Sequence, residues 1–127
     1  MRLFPDYRRV EREYYARTGI YPAHHIVVLR RDIFDQSPWV AERLYAAFEK
    51  SKRVWQERRK GLAETTPWME EEIEQSIRVF GEDWNPCGVE ANRHLIQSLC
   101  AEEDAQGLLG GPLDPGDVFA EFGKVVA

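Results

Sequence analysis

The 127-residue sequence predicts a helix-rich domain of five to six helices and one main strand. Three observations carry this reading. Apolar residues recur at helical spacing between residues that start and stop helices. A single run, Ile26-Val27-Val28-Leu29, is continuous and β-branched, as in a strand covered on both faces. Strands and helices do not alternate as they would in a self-contained α/β domain, so the helix excess points to part of a larger fold. The length allows one domain, residues 1–127.

The first helix is predicted from about Pro5 to Arg17. Asp6 supplies a cap and Gly19 a left-handed stop, while Tyr7, Val10 and Tyr14 share one face. The strand follows within Tyr21 to Leu29. A lone strand leaves its backbone N–H and C=O groups without partners, so a sheet too weak to read in the sequence, a second copy of the chain or a missing part of a longer protein is expected to pair with it. Ile33 and Phe34 suit a short helical turn. Ser37-Pro38 then opens the strongest helix, to about Arg59, on which Val40, Leu44, Ala47, Phe48, Ser51 and Trp55 follow the 3.6-residue period. Its basic end suits the helix dipole, and Gly61 is the expected stop. Thr66-Pro67 repeats the start signal. Met69, Ile73, Ile77 and Phe80 form the next buried face, and Gly81 ends that helix. After the Asn85-Pro86 turn, a helix from Val89 to Gln106 points Leu95, Ile96 and Leu99 inward. Asp114-Pro115 starts a last short helix with Val118, Phe119 and Phe122 as its apolar face.

Hydrophobic residues at 43% and charged residues at 31% fit a globular chain and not a disordered one. The net charge of −5 argues against a nucleic-acid partner, whose phosphates need clustered cations. No apolar run approaches the ~20 residues of a membrane helix, and the first residues lack a signal-peptide core, so a cytoplasmic chain with no membrane partner is expected. Cys87 and Cys100 are too few for a disulfide framework and belong to no zinc-binding pattern; two reduced thiols are expected.

Motifs that carry chemistry are scarce. There is no GxSxG, HExxH, Walker loop or GxGxxG. His24 and His25 are adjacent on the presumed strand and face opposite ways, which argues against joint metal chelation, and no metal site is expected. One of them could act as general acid or base, against the plainer role of a structural histidine. His94 lies among polar neighbours and is assigned to the surface. Arg17 to Pro22 offers a cation, a hydroxyl and a phenol around a turn, suited to a carboxylate ligand or simply to a helix exit. The basic stretch from Lys50 to Lys60 is read as a solvated helix end, and Trp39 and Trp68 as packing anchors at helix starts.

The ordered words Phe4-Pro5-Asp6, Thr18-Gly19-Ile20, Pro22 to His25 and Gly88-Val89-Glu90-Ala91-Asn92-Arg93 resemble the C-terminal part of 4,5-dihydroxyphthalate decarboxylase-like proteins. The resemblance covers nearly the whole chain. It implies a type II periplasmic-binding-protein-like α/β fold of two lobes, of which this chain is the C-terminal segment, with the strand ending at Leu29 returning to the first lobe's sheet. It implies a lyase reaction that releases carbon dioxide from a dihydroxylated aromatic acid, with no cofactor and with a small aromatic carboxylate as partner. His25, which falls on the family's histidine after the proline, is then the proton donor or ligand contact, and Thr18 and Tyr21 lie at the cleft edge. Cys87 stands where relatives carry an aromatic residue. The alternative is a non-catalytic solute-binding module for a small aromatic or carboxylate ligand. The unpaired strand leads to the expectation of a homo-oligomer assembled through its edge.

Overall fold

The computed structural model describes residues 3–126. Seven helices follow one another: α1 (Tyr7–Thr18), α2 (Arg31–Gln36), α3 (Trp39–Ala63), α4 (Met69–Phe80), α5 (Arg93–Ala105), α6 (Pro115–Val118) and α7 (Ala120–Val126). The expectation of five to six helices is corrected by the chain's end, where Phe119 interrupts the last helix and divides it into α6 and α7.

Several boundaries follow the sequence signals. The Asp6 carboxylate accepts from the Arg9 N–H, and Gly19 closes α1 in the left-handed conformation at φ 67°. Asp114 accepts from the Gly116 N–H and Pro115 sits in the first turn of α6. α3 opens where expected, but the Ser37 carbonyl accepts the Val40 N–H and no side chain caps the helix. α3 then runs through Gly61 to Ala63. One glycine inside a helix costs about 1 kcal/mol, too little to end a 25-residue helix. α4 begins two residues later than Thr66-Pro67 predicts, because Trp68 turns left-handed at φ 63° just before it. α5 also starts late, at Arg93, after turns that occupy Val89 to Asn92.

The predicted strand is absent among the described residues. Residues 19–30 form no regular structure, and Tyr21 to Val28 are exposed. The apolar run is extended in sequence character, but a ladder needs a neighbouring strand and the described chain contains none. Self-association through a preformed strand edge therefore loses its structural basis.

α3 is the spine. It packs against α2, α4 and α7, while α5 rests on α6 and α6 on α7. α1 joins α4 through polar and aromatic contacts: Arg8 pairs with Glu72, Arg12 donates to the Gln75 side-chain Oε1 at 2.9 Å, and the Tyr15 ring meets Phe80 edge-on at 4.8 Å.

Burial is thin. Ile73, Cys100 and Pro115 alone are buried among the described residues. The accessible surface is 10073 Å², whereas a compact monomer of 14.8 kDa exposes about 7,000 Å². Part of that exposure lies along α3. Its inner face carries Tyr45, Glu49, Lys52, Gln56 and Arg59, all partly covered, while Leu44, Phe48, Val54, Trp55 and Leu62 remain exposed. The apolar period is present as predicted, but it faces away from the rest of the chain.

Candidate functional site

The candidate residues Thr18, Tyr21 and His25 sit on and beyond the exit of α1. That exit is tightly specified. The Gly19 N–H returns to the Tyr15 carbonyl at 2.7 Å. The Thr18 hydroxyl donates to the Tyr14 carbonyl at 2.8 Å and accepts from the Ile20 N–H at 3.1 Å. Within this chain, then, Thr18 shapes the turn with its hydroxyl. Tyr21 lies three residues on, its ring edge-on to Phe80 with centroids 5.1 Å apart. Phe80 thus receives Tyr15 and Tyr21 together and fixes where the extended segment leaves the helices.

His94 is the residue that sequence reasoning missed. From the first turn of α5 its Nε2 lies 2.8 Å from the Thr18 carbonyl. The Nε2–H tautomer donates to a helix-end carbonyl that has no intrahelical donor of its own. The two residues are 76 apart in sequence, and nothing local marks the pairing; His94 is exposed, as its polar neighbours predict, and makes this bond at the surface.

His24 and His25 both lie exposed on the extended segment, with ring centroids 6.5 Å apart and planes at 74°. No hydrogen bond joins His25 to Thr18 or Tyr21 among the described residues. The structure therefore places the three residues along one stretch of chain without closing them around a ligand. The cavities agree. A groove of about 240 Å³ lies beneath the segment, lined by Val27, Leu29, Phe34, Phe119 and Phe122 among others. A smaller one of about 90 Å³ sits between α3 and α4 beside Arg59, Ile73 and Trp84. Both fall below the ~300–1,000 Å³ of ordinary ligand pockets.

A second polar cluster forms where the loop after α4 meets α3. The Lys52 side chain is only 9% exposed, with its ammonium 2.9 Å from Glu49 and 3.0 Å from Asp83. The Lys52 ammonium, with help from the Cys87 thiol, holds the Glu49 carboxyl below its ordinary range. Burial opposes the charge on Lys52, yet the two carboxylates prevail and its pKa is raised. Burial, followed by Glu49, pushes the Cys87 thiol upward. A thiol held protonated is a poor nucleophile, so this cluster reads as structural. Arg59 beside it lies over the rings of Trp55 and Trp84, at 5.4 and 5.6 Å. Among the described residues no group of three or more His, Cys, Asp or Glu is arranged to hold a metal ion, and no helix is long and apolar enough to cross a membrane.

No family model matches the sequence. The chain is 30% identical over 120 residues to 4,5-dihydroxyphthalate decarboxylase of Comamonas testosteroni, a match that takes in 92% of this chain. The chain spans 36% of the length of that relative. The likeness establishes a distant relationship to the decarboxylase, and the seven-helix structure is that of a helix-rich segment.

Proposed function

We propose that this chain is a decarboxylase-like segment, the C-terminal part of a two-lobed α/β protein that acts on a dihydroxylated aromatic acid. The observation that carries the reading is the 30% identity to 4,5-dihydroxyphthalate decarboxylase along 120 residues. Two structural features support it. The apolar run Ile26 to Leu29 lies outside any ladder, as a strand would when separated from its sheet. The accessible surface is some 3,000 Å² larger than a compact chain needs, which fits a segment built to be covered.

The chemistry asks little of a cofactor. In such a substrate the ring hydroxyl para to the departing carboxylate pushes electron density toward the carbon that bears it. That carbon takes a proton, the carbon–carbon bond breaks, and carbon dioxide leaves with its electrons returned to the ring. The protein must supply the proton and steady the carboxylates. His25 is the proposed donor or ligand contact, since an imidazole exchanges protons near neutral pH. Tyr21 is placed at the cleft edge, with Thr18 holding the turn that presents it.

The test is a thermal melt of the chain with and without 4,5-dihydroxyphthalate, followed by a carbon dioxide assay. A ligand-raised melting point with turnover that His25→Ala abolishes and His24→Ala spares is expected. Saturable binding without carbon dioxide release would instead indicate a solute-binding module. Equal loss in both histidine variants would remove His25 from the role, and neither binding nor turnover would overturn the reading for this chain.

A further inference from the structure

The inverted patterning of α3 has an occupant that the helix itself specifies. We propose that two copies of this chain pair through α3, antiparallel, along the stripe Leu44, Phe48, Ser51, Trp55, Arg58 and Leu62. These positions alternate three and four residues apart, the spacing of a coiled-coil seam. The stripe lies on a 25-residue helix about 37 Å long. Leu44, Phe48, Trp55 and Leu62 are exposed, so no rearrangement of the chain is needed to present them.

The seam is complementary to itself in one register. Turned end for end, Leu44 meets Leu62 of the other copy, Phe48 meets Arg58 and Ser51 meets Trp55. Each pair is chemically compatible: two aliphatic side chains, an aromatic ring under a guanidinium, and a large ring opposite a small side chain. The adjoining flank carries Ala47, Val54 and Gly61. In the same register Ala47 faces Gly61, and Val54 faces its own counterpart at the two-fold axis. No like charges oppose one another along that flank, and its small side chains let the helices approach closely. The charged residues Glu49, Lys52 and Arg59 lie on the inner face, engaged with the loop after α4.

A self-complementary patch of this kind closes with two-fold symmetry and stops at a dimer. The inference does not depend on the decarboxylase-like reading, and its readout is a mass, so the two fail separately.

The experiment is light scattering of the full chain across a concentration series. A species of about 30 kDa is expected, twice the 14.8 kDa chain. Phe48→Glu and Leu62→Glu should each return it to about 15 kDa with the helical circular dichroism unchanged, because both side chains are exposed within one copy. Arg53→Glu, away from the stripe, should leave the dimer intact. A Val54→Cys variant should crosslink to itself with a short thiol-specific reagent, at a yield well above that of the unaltered chain with its own two cysteines. A folded monomer at all concentrations would overturn the proposal, and so would a dimer that survives both glutamate variants. A dimer that Val54→Cys fails to crosslink would overturn the register.

Discussion

Replacing Lys52 by methionine tests the polar interior of α3 most directly. The Lys52 side chain is 9% exposed and sits between Glu49, itself 19% exposed, and Asp83, which is half open to solvent. Methionine keeps the length of the stem and removes the charge. Glu49 then holds a carboxylate whose Oε1 is wholly shielded and whose nearest cation is gone, with only the more distant Arg53 left, 3.9 Å away at the solvent edge. Breaking a fully buried ion pair costs ~3–5 kcal/mol. Water still reaches part of Glu49 and much of Asp83, which lowers the expected loss to about 2 kcal/mol. For a chain of this size that lowers the melting temperature by about 8 °C. Urea unfolding followed by circular dichroism reads the loss. The second arm is the double variant Lys52→Met with Glu49→Leu, which removes the orphaned charge and should recover most of the stability. A loss under about 0.5 kcal/mol for the single variant, or a double variant less stable than the single one, would refute the claim that this pair is electrostatically coupled and shielded.

The same cluster sets a pH dependence. Glu49 titrates below its ordinary value in the folded chain, so its contribution is complete above pH ~4.5 and disappears as pH falls through the lowered pKa. Lys52 titrates above its ordinary value and Cys87 does likewise. Their contributions are full below the unfolded values near 10.5 and 9 and fade as pH rises past them. Stability measured by urea from pH 3 to 10 should therefore fall at both ends, the alkaline fall within that range being that of Cys87, and Lys52→Met should flatten the acid limb, where Lys52 is the main cause of the lowered Glu49 pKa. Two glycines should respond in opposite directions: Gly19→Ala, at φ 67°, should cost about 1 kcal/mol, whereas Gly61→Ala should gain about 0.5–1 kcal/mol by favouring the helix. Gly61 has ordinary helical geometry and open space where a methyl group would sit. Chemical unfolding of the two variants beside the parent chain checks both.

Local chemistry made much of the helical framework legible. The Asp6 and Asp114 caps are decided by one carboxylate accepting from nearby backbone, and the stops at Gly19 and Gly81 by a residue whose missing Cβ permits positive φ; all four appear in the structure as the sequence predicts. The buried face of α4 was readable for a similar reason, because Ile73 and its neighbours repeat at one period over a short helix. Where two signals competed, the weaker local preference gave way. Gly61 yielded to the propagation of a long helix, and Thr66-Pro67 yielded to the left-handed turn at Trp68.

The sequence by itself determined where the chain is helical and that α3 has an apolar face. Periodicity reports that a face exists but carries no information about what it meets, so only the tertiary structure showed that α3 turns its polar face inward, onto the Lys52 cluster. The Ile26 to Leu29 run illustrates the same limit. Its composition favours a strand, but hydrogen-bonded pairing is a property of two segments, and the described chain supplies one. His94 and Thr18 meet across 76 residues for the same reason, since a bond between distant helices is set by how they pack and leaves no mark in the local pattern of either.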